Sequence, residues 1–308
     1  TPVPGGYLSV RLRPSSELFA TVKQEYVALA DAERRDGLSP SDSAKQLLGR
    51  LNELGFSSYA SFAAAALSAE MAARDAKLGR RPDATISLFS DLIAGAQVLL
   101  RQTDLIFDVY LGSENVPFNF RVLAAQSGRE GAALSIISGN YSVLSTEMKG
   151  ILGAFAASAQ HVYATINEGL FLACTARLQR ELVAVFKAES AAADDESRSQ
   201  EMGLLDRQQQ EYGAKAIAGL QQIARRTQEF QQACGEMNRL AAGLEVTRIM
   251  GKVEGAQHTQ AKDRLDELLN DLERFQTTIA GALKEIERRN QEIQRHTSRL
   301  LVEAAQAA

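Results

Sequence analysis

Residues 118–149 read FNFRVLAAQSGREGAALSIISGNYSVLSTEMK, a stretch that is rich in small residues and carries few charges. Patterns typical of helices lie on both sides of it. Near its middle, Ser138, Gly139 and Asn140 are residue types that tolerate left-handed backbone conformations. The pattern therefore predicts an antiparallel helical hairpin, with its tip near residues 135–140 and its arms within residues 83–190.

The composition favours helices throughout the chain. Of the 308 residues, 45% are hydrophobic, which is typical of a folded protein. Six prolines, no tryptophan and many Ala, Leu, Gln, Glu and Arg residues favour helix, because these side chains lose little rotamer freedom there. We therefore predict an all-α protein, a long antiparallel helical hairpin or coiled-coil bundle with a small helical N-terminal unit.

Charge and cysteine content narrow the class of protein. The net charge of −4 argues against a nucleic-acid binder, which normally carries a basic face. Cys174 and Cys234 are too far apart in sequence to indicate a disulfide framework or a metal motif, so we predict core positions and a reducing compartment. Without a long uncharged apolar run or a signal peptide, we expect a cytoplasmic protein that does not span a membrane.

Turn residues divide the chain into three regions. Residues 1–82 predict a small helical unit, whose short helices end at Gly37, Gly55 and Gly79. The hairpin region, residues 83–190, contains Pro117, which predicts a bend before the central stretch. A polar segment, Ala191 to Ser199, is the best linker candidate before the C-terminal region, residues 200–308.

The C-terminal region predicts two helices that join near Gly251 to Gly255. The last helix has a heptad pattern, in which every seventh residue is apolar and a second set, partly polar, occupies the alternate core positions. The first set is Leu265, Leu272, Ile279, Ile286, Ile293 and Leu300; the second is Leu269, Gln276, Leu283, Asn290 and Thr297. A coiled coil and an ordinary amphipathic helix in a bundle both fit this pattern.

A possible internal repeat links the C-terminal region to the hairpin. Residues 243–256, GLEVTRIMGKVEGA, align with residues 119–132, NFRVLAAQSGREGA. The C-terminal region is then a second hairpin-like copy, although chance similarity between two amphipathic helices explains the alignment equally well.

Catalytic patterns are scarce. The three histidines, at positions 161, 258 and 296, are dispersed, and His161 is the only one considered as a haem or metal ligand; a hydrogen-bonded core or interface histidine is the more common role. The sequence contains no glycine-rich phosphate loop, Gly-x-Ser-x-Gly elbow or HExxH motif. We predict a protein that is not an enzyme and needs no cofactor.

Short motifs with ungapped spacing run along residues 118–149. They are Phe118, Val122-Leu123-Ala124, Glu130 with Gly131-Ala132-Ala133, Ser138-Gly139-Asn140, Tyr141-Ser142-Val143-Leu144 and Glu147-Met148-Lys149. In this order the stretch resembles the hairpin tip of the cytoplasmic signalling domain of bacterial methyl-accepting chemotaxis receptors. The resemblance implies signal transduction through helix–helix association in a homodimer, with the chemotaxis histidine kinase or its coupling adaptor as partner.

The resemblance also implies a partner-binding role for eight residues of the stretch. They are Phe118, Arg121, Gln126, Glu130, Ile136, Ile137, Tyr141 and Glu147. Arg121 and Gln126 stand where the family has asparagines, and Ile136 stands at its acidic tip position. The later amide pairs, such as Gln221-Gln222, lack the small residues that precede a receptor adaptation site, so we interpret them as a solvated helix face.

Two alternatives remain open. In a membrane-active helical protein, the apolar residues 132–144, AALSIISGNYSVL, would insert into a bilayer, although this segment is short and lacks basic and aromatic flanks. A purely structural coiled-coil spacer would tolerate substitution of every residue in the predicted tip.

Overall fold

The computed structural model describes residues 2–3, 6–7, 17–127, 131–190, 196–255 and 262–307. The helices are α1 (Glu17–Arg35), α2 (Pro40–Glu53), α3 (Tyr59–Lys77), α4 (Ala84–Ser113), α5 (Val116–Gln126), α6 (Gly131–Ser190), α7 (Glu196–Gly255) and α8 (Lys262–Ala307). Two short strands, β1 (Pro2–Val3) and β2 (Gly6–Tyr7), pair antiparallel at the N-terminus. The predicted all-α class is confirmed.

The three N-terminal helices end at the predicted glycines. Ser39 caps α2, accepting a hydrogen bond from the Asp42 backbone N–H, and Ser58 opens α3 in a capping box. After each of the three helices the chain turns at a glycine with positive φ: Gly37, Gly55 and Gly79. Because only local chemistry is needed for these boundaries, the sequence was sufficient to find them.

The predicted turn at Ser138, Gly139 and Asn140 is wrong, because α6 continues through all three residues. One glycine inside a helix costs only about 1 kcal/mol relative to alanine, and tertiary contacts outweigh that cost. Ser138 is fully buried, and its hydroxyl donates to the Pro117 carbonyl oxygen at 2.8 Å. A residue held in this way lies in an arm of the hairpin and not at its tip.

The hairpin itself is present, but its first arm ends with α5 at Gln126 and its second arm begins with α6 at Gly131. Its arms run antiparallel, since Tyr110 at the end of α4 donates to the Ser145 carbonyl of α6 at 2.9 Å while α5 contacts Ser138. Gly131 lies so close to α5 that a Cβ atom there would overlap the Ala124 carbonyl oxygen. The predicted interruption at Pro117 is confirmed, because α4 ends at Ser113 and α5 begins at Val116.

The chain divides into two compact units. Their boundaries differ from the predicted region boundaries, which were at residues 82, 190 and 200. Unit 1 contains residues 1–93, 164–223 and 297–308; unit 2 contains residues 94–163 and 224–296. Four helices, α4, α6, α7 and α8, contribute a segment to each unit. The linker predicted at Ala191 to Ser199 is wrong from Glu196 onward, because α7 begins there, and residues 191–195 lie outside the described part of the chain.

Unit 2 is an antiparallel four-helix bundle built by a single chain. The α6 and α7 segments meet where Phe155 stacks on Phe230, with ring centroids 5.2 Å apart. The α7 and α8 segments meet at Asn290, and α8 meets α4 where Ile293 packs against Gly95. The α7–α8 pair therefore supplies the two helices that a second hairpin would otherwise provide.

Unit 1 joins the three N-terminal helices to segments of the long helices. Its N-terminal core is a cluster of buried and partly buried apolar side chains: Phe19, Val22, Leu47, Leu51, Leu54, Phe56, Phe62 and Ala66. Among the long helices, α6 approaches α4 and α7 closely at Gly169, where an added Cβ would lie 2.9 Å from the Phe89 ring and 3.0 Å from Ile223. A glycine is needed at this crossing because of the close approach.

The heptad positions of α8 are buried, as the periodicity predicts. Both sets of residues, from Leu265 to Leu300 and from Leu269 to Thr297, lie in the core of the chain. Two of the polar members are bound inside it: Asn290 Nδ2 donates to the Thr227 carbonyl at 3.0 Å, and Gln276 Oε1 accepts from Arg248 at 2.8 Å. Because helices of the same chain cover these positions, the heptads do not require a second copy.

Candidate functional site

The predicted partner-binding residues do not form one surface. Phe118 and Ile136 are 65% and 63% exposed, and Arg121, Gln126 and Glu147 are also exposed. In contrast, Ile137 and Tyr141 are 4% and 1% exposed. Glu130 lies outside the described residues. The seven described residues thus divide between solvent and core.

The partner-binding role predicted for Ile137 and Tyr141 needs correction, because both side chains belong to the bundle core. Ile137 points toward α7, where its Cγ2 would lie 3.8 Å from a Cβ added at Gly251. Burial raises the pKa of the Tyr141 phenol well above its ordinary value. In a continuous helix every third or fourth residue of α6 must face the core, and these two residues are on that side.

Phe118 and Arg121 line a polar recess of about 290 Å³, between the α4–α5 junction and α6. Arg121 donates to the Ser142 hydroxyl at 3.2 Å, on the opposite side of the recess. Lys149 forms an ion pair with Glu114, and its pKa is raised by this hydrogen bond. These groups bind one another across the two arms, so the contacts in the recess hold the hairpin together.

Glu147 and Gln126 also make contacts within the chain. Glu147 forms an ion pair with Arg239 of α7, and Gln126 accepts a long hydrogen bond of 3.4 Å from Arg264 of α8. Glu147 and Lys149 are the only charged residues between Gly131 and Gln160, and both are paired inside the chain. The outer side of this part of α6 therefore presents few charges to a partner.

A set of exposed apolar side chains lies on α6 and α7 of unit 2, and we call it the apolar face. Its members are between 47% and 68% exposed. They are Ile136 and Val143 on α6, and Val246, Ile249, Met250 and Val253 on α7. The α7 members are spaced i, i+3, i+4 and i+7, which places them on one side of the helix.

Contacts between α6 and α7 fix how the two parts of the apolar face align. A Cβ added at Gly243 would lie 3.2 Å from the Leu144 side chain, and Ile137 lies beside Gly251. Val143 is therefore at nearly the same level of the bundle as Val246, one helix away. Ile136 is likewise level with Val253. The sequence already shows that α7 has apolar residues at helical spacing outside its core positions. Periodicity alone, however, does not show which apolar residues stay exposed to solvent.

A cluster of charged side chains lies in unit 1, where α3 and the start of α4 meet α6. The Arg177 side chain is 12% exposed and contacts Asp75, which is 5% exposed. Arg177 also contacts Asp83 at 3.4 Å and Glu181 at 3.1 Å. The hydrogen bond from Arg177 is the main reason that the pKa of Asp75 is lowered. Arg74 and Arg80 contact Glu181 as well, so three cations face three carboxylates.

The described residues offer little reactive chemistry. His161 is exposed, and no group of three His, Cys, Asp or Glu side chains in the described ranges could hold a metal ion. Cys174 and Cys234 are buried, as predicted, and burial raises the pKa of each thiol to about 12. Both thiols therefore stay protonated at neutral pH and are poor nucleophiles.

One stretch of the described chain, Ala84–Gln126, is long and apolar enough to cross a membrane, with a mean hydropathy of 1.2 in its best window and 39% of that window buried. A core helix of a soluble protein passes the same test, and Leu92, Leu99 and Ile106 are fully buried here. This finding alone assigns no location to the protein.

Comparisons with protein-family models, curated proteins and solved structures find no match to this chain. The likeness to chemotaxis receptors therefore rests on residues 118–149 alone.

Proposed function

We propose that this chain is a non-enzymatic signal-transduction or scaffold protein that docks a helical partner on its apolar face. The observation that carries the proposal is the exposure of six large apolar side chains on adjacent helices of unit 2. Contiguous exposed apolar patches on folded proteins commonly mark interaction sites. The i, i+3, i+4, i+7 spacing on α7 suits packing against another helix.

The resemblance to chemotaxis receptors suggests which partner to test first. In that family the corresponding hairpin engages the histidine kinase and its coupling adaptor, so these two proteins are the leading candidates. Five predicted partner residues remain exposed, and one of them, Ile136, belongs to the apolar face; the other four are Phe118, Arg121, Gln126 and Glu147. The α7 residues enlarge the surface beyond the predicted stretch.

A homodimer is the second candidate. Every copy of the chain presents the same apolar face, and two such faces can pair about a twofold axis. The four-helix bundle of unit 2 is complete within one chain, so this dimer would be formed by two bundles in contact and not by two hairpins that share a bundle.

Substitution of Val143 with glutamate tests both candidates. Val143 is the most exposed member of the apolar face, and a buried unpaired carboxylate in an interface is strongly unfavourable. The matched control is Val302→Glu, at a similarly exposed valine near the end of α8. Light scattering measures the oligomeric state, and pull-down with purified kinase and adaptor measures partner binding; we expect only Val143→Glu to weaken one of them.

A monomeric wild-type chain that binds neither the kinase nor the adaptor would refute the proposal. A purely structural spacer would give unchanged results for both variants. Bilayer insertion of residues 132–144 is not proposed, because Leu134, Ile137 and Tyr141 would have to leave the core. Moving each such side chain out of the core costs about 1.5–3 kcal/mol. Contacts with lipid would have to offset that cost before insertion became favourable.

A further inference from the structure

A cavity of about 490 Å³ lies in unit 1, between α1, α3 and the second half of α6. Its walls are mainly apolar and include the aromatic rings of Phe62 and Phe171 and the side chain of Leu178. Its polar end includes Glu70, Arg74 and Gln179. We call it the α3–α6 cavity. Its volume falls in the range of about 300–1,000 Å³ that is usual for small-molecule sites.

Small side chains on α3 create the space. Ala63 and Ala66 face the cavity where larger residues would fill it. Contacts between aromatic rings hold the neighbouring wall of the cavity in place. The Phe62 ring stacks on the Phe19 ring with centroids 6.2 Å apart, and it meets the Phe56 ring edge-on with centroids 5.6 Å apart. At the mouth, Tyr59 remains 58% exposed. The cavity is therefore a formed, mostly apolar concavity with part of its aromatic lining open to solvent.

The polar end favours a ligand that donates hydrogen bonds. The Oε1 atom of Gln179 is buried without a hydrogen-bond partner among the described residues, and leaving a buried acceptor unpaired is unfavourable. The terminal torsion of a glutamine is soft, so this oxygen can turn toward the cavity. A ligand N–H group at this end would satisfy it.

The aromatic wall favours the same kind of ligand. The rings of Phe62, Phe171 and Tyr59 line the cavity. Because the faces of aromatic rings attract cations, a cationic head group is preferred over an anionic one.

We propose that the α3–α6 cavity binds a small amphipathic amine. The apolar body of the ligand packs against Phe62, Phe171 and Leu178, and its ammonium group lies at the polar end and donates to Gln179. This site belongs to unit 1 and does not depend on the apolar face of unit 2, so it stands or falls separately from the proposed docking function.

Isothermal titration calorimetry of the full chain with naphthylmethylamine tests the proposal, with naphthoic acid as a probe of the same shape and opposite charge. We expect saturable binding of the amine and binding of the acid that is at least about tenfold weaker. Absence of saturable amine binding, or equal affinities for the two probes, would overturn the proposal.

Two variants locate the site. Ala63→Leu fills the cavity and should weaken amine binding by about tenfold or more, since leucine takes the volume of the ligand body. Ala60→Leu adds the same side chain at an exposed position of α3 and should bind like the wild type.

Gln179→Met keeps the size of the side chain but removes the acceptor. It should weaken binding of the amine by about fivefold while leaving binding of the acid unchanged. Circular dichroism confirms folding of each variant, and wild-type binding by both Ala63→Leu and Gln179→Met would refute the assignment.

Discussion

Replacing Arg177 with methionine removes a cation that contacts three carboxylates in unit 1, at little cost in side-chain volume. The Asp75 carboxylate is 5% exposed and would lose its hydrogen-bond donor. Breaking a buried ion pair by removing one partner costs about 3–5 kcal/mol, because the remaining charge stays buried. Arg74 and Arg80 still attract Asp75 from a distance, so we expect a loss near the lower limit, about 3 kcal/mol in the free energy of unfolding.

The loss should depend on pH. In the wild type the hydrogen bond from Arg177 holds the pKa of Asp75 below its ordinary value of 3.8. The stability from this pair is therefore fully present above that value and is lost as the pH falls through the lower folded-state pKa. In Arg177→Met, burial without the hydrogen bond disfavours the charged form and raises the pKa of Asp75. The variant then recovers stability on acidification, so the difference from the wild type should shrink between neutral pH and about pH 4.

Urea unfolding followed by circular dichroism at both pH values measures these differences. The double variant Asp75→Asn, Arg177→Met should be more stable than Arg177→Met alone, because no unpaired buried charge remains. Arg274→Met is the control, since its ion pair with Asp271 is on the surface and surface pairs contribute little. Two results would show that the cluster is no stronger than a surface ion pair. One is a loss of less than about 1 kcal/mol in the unfolding free energy of Arg177→Met, and the other is additivity of the effects of Asp75→Asn and Arg177→Met.

Three further predictions concern the backbone, the core and the thiols. In urea unfolding, Gly131→Ala should destabilise the chain by about 1–3 kcal/mol, because its Cβ would overlap a carbonyl of α5. The control, Gly150→Ala, places its Cβ in open space on the same helix and should stabilise the chain by about 0.5–1 kcal/mol. Asn290→Leu should raise the unfolding free energy by about 1 kcal/mol, since the Oδ1 atom of Asn290 is buried and has no hydrogen-bond partner in the part of the chain that the structure describes; a loss of stability would show that its bond to α7 is the larger effect. Cys174 and Cys234, with pKa values raised to about 12, should react with a thiol reagent at pH 8 only after unfolding in urea, and rapid reaction of the native chain would contradict their burial.

The errors of the sequence-based reasoning have a common cause. Ser138, Gly139 and Asn140 have high turn propensity, but a long-range hydrogen bond and burial keep them helical. From the sequence alone, Ile137 and Tyr141 cannot be distinguished from Ile136, which is exposed. Only the packing of neighbouring helices decides which of these three side chains is buried. Local propensity is a weak preference that tertiary packing overrides where the two disagree.

The apolar face and the α3–α6 cavity could not be predicted for the same reason. Val246 and Val253 belong to an apolar pattern on α7, but their exposure follows from which helices pack around that pattern. The cavity exists because alanines of α3 face a segment of α6 that is more than a hundred residues away in sequence. Pairings at that separation leave no local signal in a single sequence.

The sequence by itself determined the all-α class, the boundaries of the N-terminal helices, the interruption at Pro117 and the buried heptads of α8. These features follow from side-chain periodicity and from the chemistry of helix caps, which act over one or two turns. Tertiary structure alone decided that the second arm of the hairpin already begins at Gly131 and that one chain completes the four-helix bundle of unit 2. Those outcomes depend on how apolar surfaces of distant helices cover one another, since burial is a property of the whole packed chain and not of any short segment.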